Sequence, residues 1–510
     1  MSLSEQILDA LAARPGAPSE RAALLKWSSA CDPVDPPGIS RFLFALFRAR
    51  ADLQQTFLGI YLDPDARLRY LLWAHYFAGH ETGAPSELIP PLPAGVTSLT
   101  PAPVVDPSPR QRGVGVLGYL RAIHGLGAAA RRLVRILDSI GEPLRLYPYD
   151  HTIAPLLLDG MERDSRLGVA RSHDDVEFPD VLVAVLGPHE LSLVPVILGG
   201  SALAGVKRIG LLFWETDVLP PELADGFTDL CEVWVTSEYT AAAVRPILPK
   251  STGLHIIPLG ASVLGTYVDP AVRAEARRGW SERLGVLPTT IVAGQVFDYS
   301  SGVERKNPSA LVHAWCLAFP QADPIRRTLV FKTIGSGAHP ELASEFRVRV
   351  SSLARSDVCF VDDALPPEQH AAFMERLDLV ASLHRAEGYG LVLLEAMYRG
   401  IPVIASAYSG NLAFMNEANS WLVPCGPTVL QADEGPYPAG SAWGEPDVAA
   451  AAAALLDVTL GLSGQDPLRA KQVADRVSAA RMTAQPLVDG SAAATAVQER
   501  LAVVRATQPG

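Results

Sequence analysis

The sequence predicts an α/β protein built from two successive Rossmann-like domains. Its 510 residues are enough for roughly three domains of about 150 residues each. Hydrophobic residues make up 48% and charged residues 19%, which is typical of a folded globular protein and not of a disordered one. Short apolar strands alternate with helices in two separate blocks, and this alternation predicts two parallel sheets covered by helices.

The first block predicts an N-terminal Rossmann-like domain over residues 113–270. Each of its apolar segments is short and is followed by a helical pattern, as expected for strands buried on both faces of a sheet. The predicted strands are 114–119, 144–147, 181–186, 208–214, 232–236 and 254–258.

The second block predicts a second Rossmann-like domain over residues 285–462, after a helix around 272–284 and before C-terminal helices over 463–510. Ligands of such sheets bind at the carboxyl ends of the strands, so two facing domains place a cleft between them. The predicted strands are 290–297, 328–334, 358–362, 379–383 and 402–405.

The first 112 residues differ from this pattern. Residues 1–83 carry apolar side chains at helical spacing, which predicts a small helical accessory module. Residues 84–112 are dense in proline, as in a semi-stiff linker.

Charge and cysteine usage exclude several classes of protein. A net charge of −12 argues against a nucleic-acid binder, which needs a surplus of Lys and Arg. The five cysteines show no metal-site or redox spacing, which favours a reducing compartment. The N-terminus lacks a signal-peptide pattern, and the longest apolar stretch, 181–200, is interrupted by His189 and Glu190. We therefore expect a cytoplasmic protein that does not span a membrane.

Two glutamates flank a glycine-rich turn in the second block. Glu387 precedes the turn and Glu395 lies inside the following helix, with seven residues between them. Glycines allow a ligand to approach the backbone, and the free N–H groups at a helix start favour an anion such as a diphosphate. Glu387 is placed to accept hydrogen bonds from sugar hydroxyls, and Glu395 to hold a ribose. The alternative is that both are solvated glutamates. The other candidate residues of this element are Gly388, Tyr389, Gly390 and Leu391.

This element resembles the E-x7-E motif of retaining glycosyltransferases of the GT-B fold, glycosyltransferase family 4. Segments 400–405 and 409–411 resemble the continuation of the same family. The resemblance spans most of residues 113–460. It implies a GT-B fold, with Glu387 near the donor sugar and Glu395 on the donor ribose. It also implies transfer of a hexosyl unit from a nucleoside diphosphate sugar to a hydroxyl acceptor, with retention of configuration.

A second family feature is a pair of cations, Arg305 and Lys306, after the predicted strand 290–297. The pair would lie beside the inferred diphosphate, where each charge-assisted hydrogen bond contributes about 1.5–3 kcal/mol. We expect these cations to stabilise the leaving group in place of a divalent metal, so that no metal and no further cofactor are needed. The alternative is a solvated pair at a helix start.

The first domain supplies Gly125 and Gly127, ahead of a helix predicted to begin near Ala128. They resemble the family's N-terminal glycine loop, which approaches the donor phosphate from the opposite side. Tight packing of strand against helix is the alternative explanation of a lone GxG. The sequence departs from the family's usual residues at Gly115 and Ala128.

His189, after the predicted strand 181–186, resembles a histidine that this family often needs for catalysis. It would orient the acceptor or contact the donor sugar. The alternative is a helix-capping histidine. His384 and Arg385 adjoin the E-x7-E turn and either reach the phosphates or pack at the sheet edge.

Two other patterns have simpler explanations. Residues 63–65 spell the D-x-D of metal-dependent transferases, but turn and N-cap chemistry explains them. A basic helix face would dock on anionic lipid or remain solvated, and the acidic total favours solvation. The residues of this face are Arg121, Arg131, Arg132 and Arg135.

The expected partners are a nucleotide sugar donor and a glycan or lipid-linked acceptor, with a peripheral contact at the inner face of the membrane as a further expectation and no nucleic acid. Two alternatives remain. One is an inactive binding or scaffold protein with a transferase fold, and the other is a sugar-nucleotide epimerase on the same fold.

Overall fold

The computed structural model describes residues 3–32, 36–50, 53, 60, 64–91, 111–149, 179–198, 203–263, 270–337, 339–434 and 436–507. Two six-stranded parallel sheets form the cores of two α/β domains within these residues. The predicted α/β class with two Rossmann-like halves is therefore confirmed.

The N-terminal sheet has the strand order β2-β1-β3-β4-β5-β6. Its strands are β1 (Val114–Gly118), β2 (Leu144–Pro148), β3 (Val181–Val185), β4 (Lys207–Leu212), β5 (Glu232–Val235) and β6 (Gly253–Ile256). The α-helices of this domain are Gly125–Ser139, Pro188–Leu191, Val194–Leu198 and Glu238–Val244, with 3-10 turns at Pro221–Phe227 and Arg245–Ile247. All six predicted strands of this block are present, with ends shifted by one or two residues.

The C-terminal sheet has the order β12-β11-β10-β7-β8-β9. Its strands are β7 (Ile291–Asp298), β8 (Arg327–Ile334), β9 (Val358–Asp362), β10 (Leu379–Ser382), β11 (Val403–Ser406) and β12 (Trp421–Val423). The helices of this domain are Pro270–Leu284, Val303–Lys306, Pro308–Ala318, Pro340–Ser352, Pro367–Arg376, Leu391–Arg399 and Val448–Leu462, with 3-10 turns at Tyr299–Ser301 and Gly410–Ala413. The 3-10 turn Ser86–Leu88 belongs to the N-terminal module.

A hairpin that the sequence pattern does not predict projects from the second domain. Its antiparallel strands are β13 (Cys425–Val429) and β14 (Ala442–Pro446). Tyr437 and Trp443 of this hairpin are buried in one apolar cluster with Trp214 of the first domain. The hairpin therefore joins the two domains.

The N-terminal module consists of the helices Leu3–Ala12, Arg21–Ser28, Arg41–Ala49 and Pro64–Thr82. Leu88 is buried in the same apolar core as Phe42 and Tyr70, so this core includes a residue that the sequence assigns to the linker. Residues 92–110 lie outside the described part of the chain. Asp63 of the D-x-D pattern lies outside it as well, and the following helix begins at Pro64.

The two C-terminal helices pack on different domains. Helix Pro467–Asp489 contributes Ala480 and Ala484 to the core of the second domain, and helix Ser491–Ala506 packs against the first domain. Arg132 of helix Gly125–Ser139 holds the first of these helices to the first domain. Its guanidinium donates hydrogen bonds to the carbonyls of Leu259, at 3.0 Å, and Leu487, at 2.7 Å. Arg132 is thus buried, and its predicted place on a basic surface was wrong.

Among the described residues, no individual helix has both the length and the apolar composition that crossing a bilayer requires. Helices Val448–Leu462 and Pro467–Asp489 meet that criterion only when taken together, and they are bent by 100° relative to each other.

Candidate active site

The glycine turn lies between strand β10 and helix Leu391–Arg399, at the carboxyl edge of the second sheet. Gly390 occupies the N-cap position with φ 93°, a left-handed conformation that glycine adopts without strain. No side chain caps this helix, so the N–H groups of its first turn remain available to a ligand. The helix therefore offers uncapped N–H groups at Leu391, and their use by an anion stays a prediction.

The following loop holds this turn in place through the backbone. Glu387 N–H donates to Ser409 Oγ at 2.7 Å, and Gly410 N–H donates to the Glu387 carbonyl at 2.8 Å. The loop approaches so closely that a Cβ on Gly410 would lie 2.5 Å from the carbonyl carbon of Gly388. The sequence at 409–411 resembled the family, but its function as a support for Glu387 was not predicted.

The Glu387 carboxylate pairs with both predicted cations. Oε1 accepts a hydrogen bond from Lys306 Nζ, and Oε2 lies 3.7 Å from Arg305 Nη1. Burial alone would raise the pKa of Glu387, but Lys306 and Arg305 outweigh burial and hold this pKa at about 2. Glu387 is therefore ionised at neutral pH.

Arg305 and Lys306 end the one-turn helix Val303–Lys306, and the next helix begins at Pro308. Arg305 is 4% exposed, so the alternative of a solvated pair at a helix start is wrong. Its guanidinium donates to the carbonyls of Ser301, at 3.0 Å, and Ala386, at 2.9 Å. Arg305 thus holds the backbone of the turn through the Ala386 carbonyl. Lys306 is the cation nearer to the Glu387 carboxylate.

His384 and Arg385 do not face the glycine turn. His384 is fully buried. Its Nδ1 lies 3.1 Å from Ser382 Oγ, and its Nε2 lies 3.1 Å from Asn411 Oδ1. Burial lowers its pKa and outweighs the nearby Glu387 charge, which raises it, so the imidazole is neutral. Arg385 donates instead to Glu445 and Glu304. These contacts favour packing for His384 and ion pairing for Arg385, and a contact of either residue with the phosphates stays a prediction.

Glu395 lies in the helix as predicted and contacts two basic side chains. Its Oε2 lies 3.2 Å from His370 Nε2, and its Oε1 accepts from Arg399 Nε at 2.9 Å. A carboxylate has about four acceptor sites, so Glu395 keeps capacity for ribose hydroxyls. Tyr389, by contrast, is 3% exposed and packs on Phe414, so only its backbone can contact a ligand.

The glycine loop of the first domain differs in detail from the prediction. Its helix begins at Gly125 and not near Ala128, and His124 is the N-cap residue. Gly127 N–H donates to His124 Nδ1 at 3.1 Å, and a Cβ on Gly127 would lie 2.7 Å from the Tyr119 carbonyl. Close packing therefore requires glycine at position 127, whereas Gly125 has open space around its Cα.

Arg131 and Gly115 are explained by the packing around this loop. Arg131 donates to the carbonyls of Leu120, at 3.0 Å, and Ala122, at 2.8 Å, so it holds the loop itself. A Cβ on Gly115 would lie 2.8 Å from the ring of Tyr147. The absence of the family's usual larger residue at position 115 is thus a consequence of core packing.

His189 lies in helix Pro188–Leu191 with its ring 6.1 Å from that of Trp214. Its neighbour Glu190 caps this helix, because Oε2 accepts from Gly187 N–H at 2.7 Å. Tyr119 donates its hydroxyl to Oε1 of the same carboxyl. Burial raises the pKa of Glu190 to about 7. The capping function of Glu190 was not predicted, although a Glu three residues after an N-cap is a known capping signal.

The Lys306–Glu387 pair makes a pH-dependent prediction. Because the folded-state pKa of Glu387 lies below the ordinary value of 4.5, the pair stabilises the fold above about pH 4.5, and this contribution is lost as the pH falls towards 2. Lys306→Met removes the nearer cation and raises the pKa of Glu387. We expect the melting temperature of this variant to be far below that of the wild type at pH 7 and closer to it at pH 3, where the wild type has lost part of the contribution of the pair.

Lys471→Met is the matched control, since Lys471 forms an exposed pair with Asp475 and such pairs contribute about 0–1 kcal/mol. Melting curves at several pH values measure both variants. A Lys306→Met deficit of equal size at pH 7 and pH 3 would contradict the assigned pairing.

Comparison with known proteins shows which family part of the chain resembles. Residues 301–432 match the family described as glycosyl transferases group 1. A D-inositol 3-phosphate glycosyltransferase from Actinosynnema mirum is 28% identical over 230 residues, which are 42% of this chain and 51% of the relative. The chain thus aligns with about half the length of this curated relative.

Solved structures share the fold at low sequence identity. A sucrose-phosphate synthase from Thermosynechococcus elongatus has a TM-score of 0.55 and 16% identity, covering 78% of this chain and 100% of its own. Alr3699/HepE from Anabaena, solved with UDP-glucose, has a TM-score of 0.54 and 17% identity, covering 77% and 100%. A Rickettsia africae glycosyltransferase has a TM-score of 0.56 and 12% identity, covering 78% and 100%.

These findings confirm the GT-B fold of the chain and a similarity of its residues 301–432 to the glycosyl transferases group 1 family.

Proposed function

We propose that the protein transfers a hexosyl unit from a nucleoside diphosphate sugar to a hydroxyl acceptor, with retention of configuration and without a metal ion. The observation that carries this proposal is the buried Lys306–Glu387 pair beside an uncapped helix start. A cation, a carboxylate and free N–H groups meet there at the carboxyl edge of a parallel sheet, where ligands of such sheets bind.

Lys306 has two successive partners in this proposal. Without donor, its ammonium donates to Glu387. A diphosphate at the start of helix Leu391–Arg399 attracts the same ammonium, which releases Glu387 Oε1 for the hydroxyls of the donor sugar. The ammonium and the helix N–H groups then stabilise the negative charge that develops on the departing diphosphate.

Arg305 has a different function from the one expected of a phosphate ligand. Its guanidinium is committed to the carbonyls of Ser301 and Ala386, so it fixes the turn that carries Glu387. Glu395 is proposed to hold the ribose, with His370 and Arg399 keeping its carboxylate ionised, since these two groups outweigh the effect of burial and lower its pKa.

The acceptor side is assigned to the first domain. His189 lies beside Trp214, and Trp214 immediately precedes Glu215, which lies next to the glycine turn of the second domain. We propose that the acceptor, a glycan, a lipid-linked glycan or a small molecule, enters between His189 and Glu387. Closure of the domains excludes water that would hydrolyse the donor.

The test is a panel of nucleotide sugars in a thermal-shift assay, starting with UDP-glucose, because Alr3699/HepE was solved with it. We expect one nucleotide class to raise the melting temperature of the wild type and to raise that of Lys306→Ala less. Lys471→Ala, at an exposed pair, is the control and should behave like the wild type.

Product analysis separates transfer from the alternatives. Chromatography should show release of the nucleoside diphosphate and a glycosylated acceptor, with rates unchanged by EDTA, and NMR of the product should show the anomeric configuration of the donor. A nucleotide sugar that is isomerised but not cleaved would identify an epimerase. If no nucleotide sugar stabilises the protein or is consumed, the transferase proposal is wrong.

A further inference from the structure

Glu215 of the first domain reaches across the cleft to the second. It follows strand β4, and its Oε2 accepts a hydrogen bond from Tyr437 of the hairpin at 2.9 Å. Its Oε1 lies 3.2 Å from the point where a Cβ on Gly388 would be. One carboxylate thus binds the hairpin and lies next to the glycine turn.

Tyr437 links this carboxylate to the supports of the turn. Its ring packs 5.2 Å from that of Trp214, and it shares a buried cluster with Ala386. The Ala386 carbonyl in turn accepts from Arg305 at 2.9 Å. Tyr437 therefore connects Glu215 to the apolar cluster that contains Ala386, at the base of the Glu387 turn.

Two residues of the first domain lie next to Gly388 of the turn. A Cβ on Gly388 would lie 3.1 Å from Phe213 Cβ, so residues 213 and 215 together form the surface against which Gly388 lies. When the domains separate, Gly388 loses this surface and Tyr437 loses its carboxylate. The shape of the turn consequently depends on a residue that is distant in sequence and belongs to the other domain.

We propose that Glu215 is a positioning residue of the transfer reaction, which holds Tyr437 and abuts Gly388 so that domain closure sets the Glu387 turn for the donor. This inference rests on the proposed transferase function. The nucleotide binds mainly to the second domain in this scheme, so loss of Glu215 impairs the chemical step more than it impairs binding.

The test compares Glu215→Ala and Tyr437→Phe with Asp217→Ala. Asp217 lies two residues from Glu215, and its Oδ1 accepts an interdomain hydrogen bond from Ala442 N–H at 2.7 Å. Its removal therefore deletes one carboxylate and one interdomain bond from the same loop without affecting Tyr437. We expect Glu215→Ala and Tyr437→Phe to lower kcat by about 10- to 100-fold, the range for one lost hydrogen bond to a charged group.

The donor KM of these two variants should change less than about threefold, in keeping with an effect on chemistry rather than on binding. Asp217→Ala should retain the wild-type kcat. Glu215→Gln should recover part of the loss, because its amide oxygen still accepts from Tyr437. The double variant Glu215→Ala/Tyr437→Phe should be no slower than the slower single variant, since both changes break one pathway.

The outcomes separate this inference from the function on which it rests. A wild type that consumes no nucleotide sugar overturns both. If the wild type is active and Glu215→Ala and Tyr437→Phe match its kcat, the inference fails and the function stands. Equal losses in Asp217→Ala and Glu215→Ala would also overturn it, because domain closure in general would then explain the effect. If Glu215→Ala does not fold, Glu215→Gln and Tyr437→Phe decide the question.

Discussion

Glu387→Gln is expected to lower kcat by a factor of about 100 to 1,000, the usual loss when a preorganised electrostatic group is removed from an active site. The amide keeps the size of the side chain but not its charge, so the donor sugar loses its carboxylate partner. Initial rates at saturating donor measure the effect. The nucleoside diphosphate alone should still bind, because the helix N–H groups and Lys306 are unchanged.

The same substitution should reduce stability, because Lys306 and Arg305 lose the charge that balances them. Their side chains are 15% and 5% exposed, and breaking a buried pair in this way costs about 3–5 kcal/mol. Urea unfolding measures this cost. Donor binding must therefore be compared below the unfolding transition of the variant.

Glu445→Gln is the control for this prediction. Glu445 also pairs with an arginine next to the turn, Arg385, but its side chain is 43% exposed, and such pairs contribute about 0–1 kcal/mol. We expect wild-type kcat and nearly wild-type stability. A Glu387→Gln variant as active as Glu445→Gln would remove Glu387 from the mechanism.

The elements that could be predicted from the sequence are those with a local signal. Strand β9 occupies the predicted residues 358–362, and helix Leu391–Arg399 begins where the glycines end. Apolar runs identify buried parallel strands, and glycine identifies a backbone that must bend or approach a ligand. The position of Glu387 and Glu395 around a helix start followed from such local rules.

The contacts that could not be predicted join residues far apart in the sequence. Lys306 and Glu387 are 81 positions apart, and Glu215 and Tyr437 are 222 apart. Arg305 illustrates the consequence: its charge suggested a phosphate ligand, whereas its hydrogen bonds to backbone carbonyls depend on how two loops meet. Residue type alone does not determine which partner a buried charge finds.

Gly410→Ala is the second change with a large expected effect, because the added Cβ would meet backbone that cannot rotate away. It would contact the carbonyl oxygen of Gly388 and lie 2.5 Å from its carbon and 2.7 Å from the carbonyl oxygen of Glu387. The loop or the turn must then move. Overpacking of this kind usually costs about 1–3 kcal/mol of unfolding free energy.

The catalytic loss from Gly410→Ala should be larger than its stability loss suggests. A displacement of about 1 Å at a reacting group lowers rates by about 100-fold, and the atoms that must move are those that carry Glu387. Gly426→Ala, in strand β13, is the matched control, since no atom lies within 4 Å of its added Cβ. Urea unfolding and kcat should both stay near wild type in this control.

Gly410→Ala also distinguishes two explanations of how Glu387 contributes to the reaction rate. If the chemistry depends only on the charges of Glu387 and Lys306, Gly410→Ala should keep its kcat while losing stability, because both charges are still present. If the chemistry depends on where the turn holds Glu387, kcat should fall in proportion to the displacement even in protein that is fully folded. The direct contact between the 409–410 loop and the turn favours the second outcome. In the proposed mechanism, only a fixed backbone would keep the carboxylate beside the donor sugar once Lys306 turned to the diphosphate.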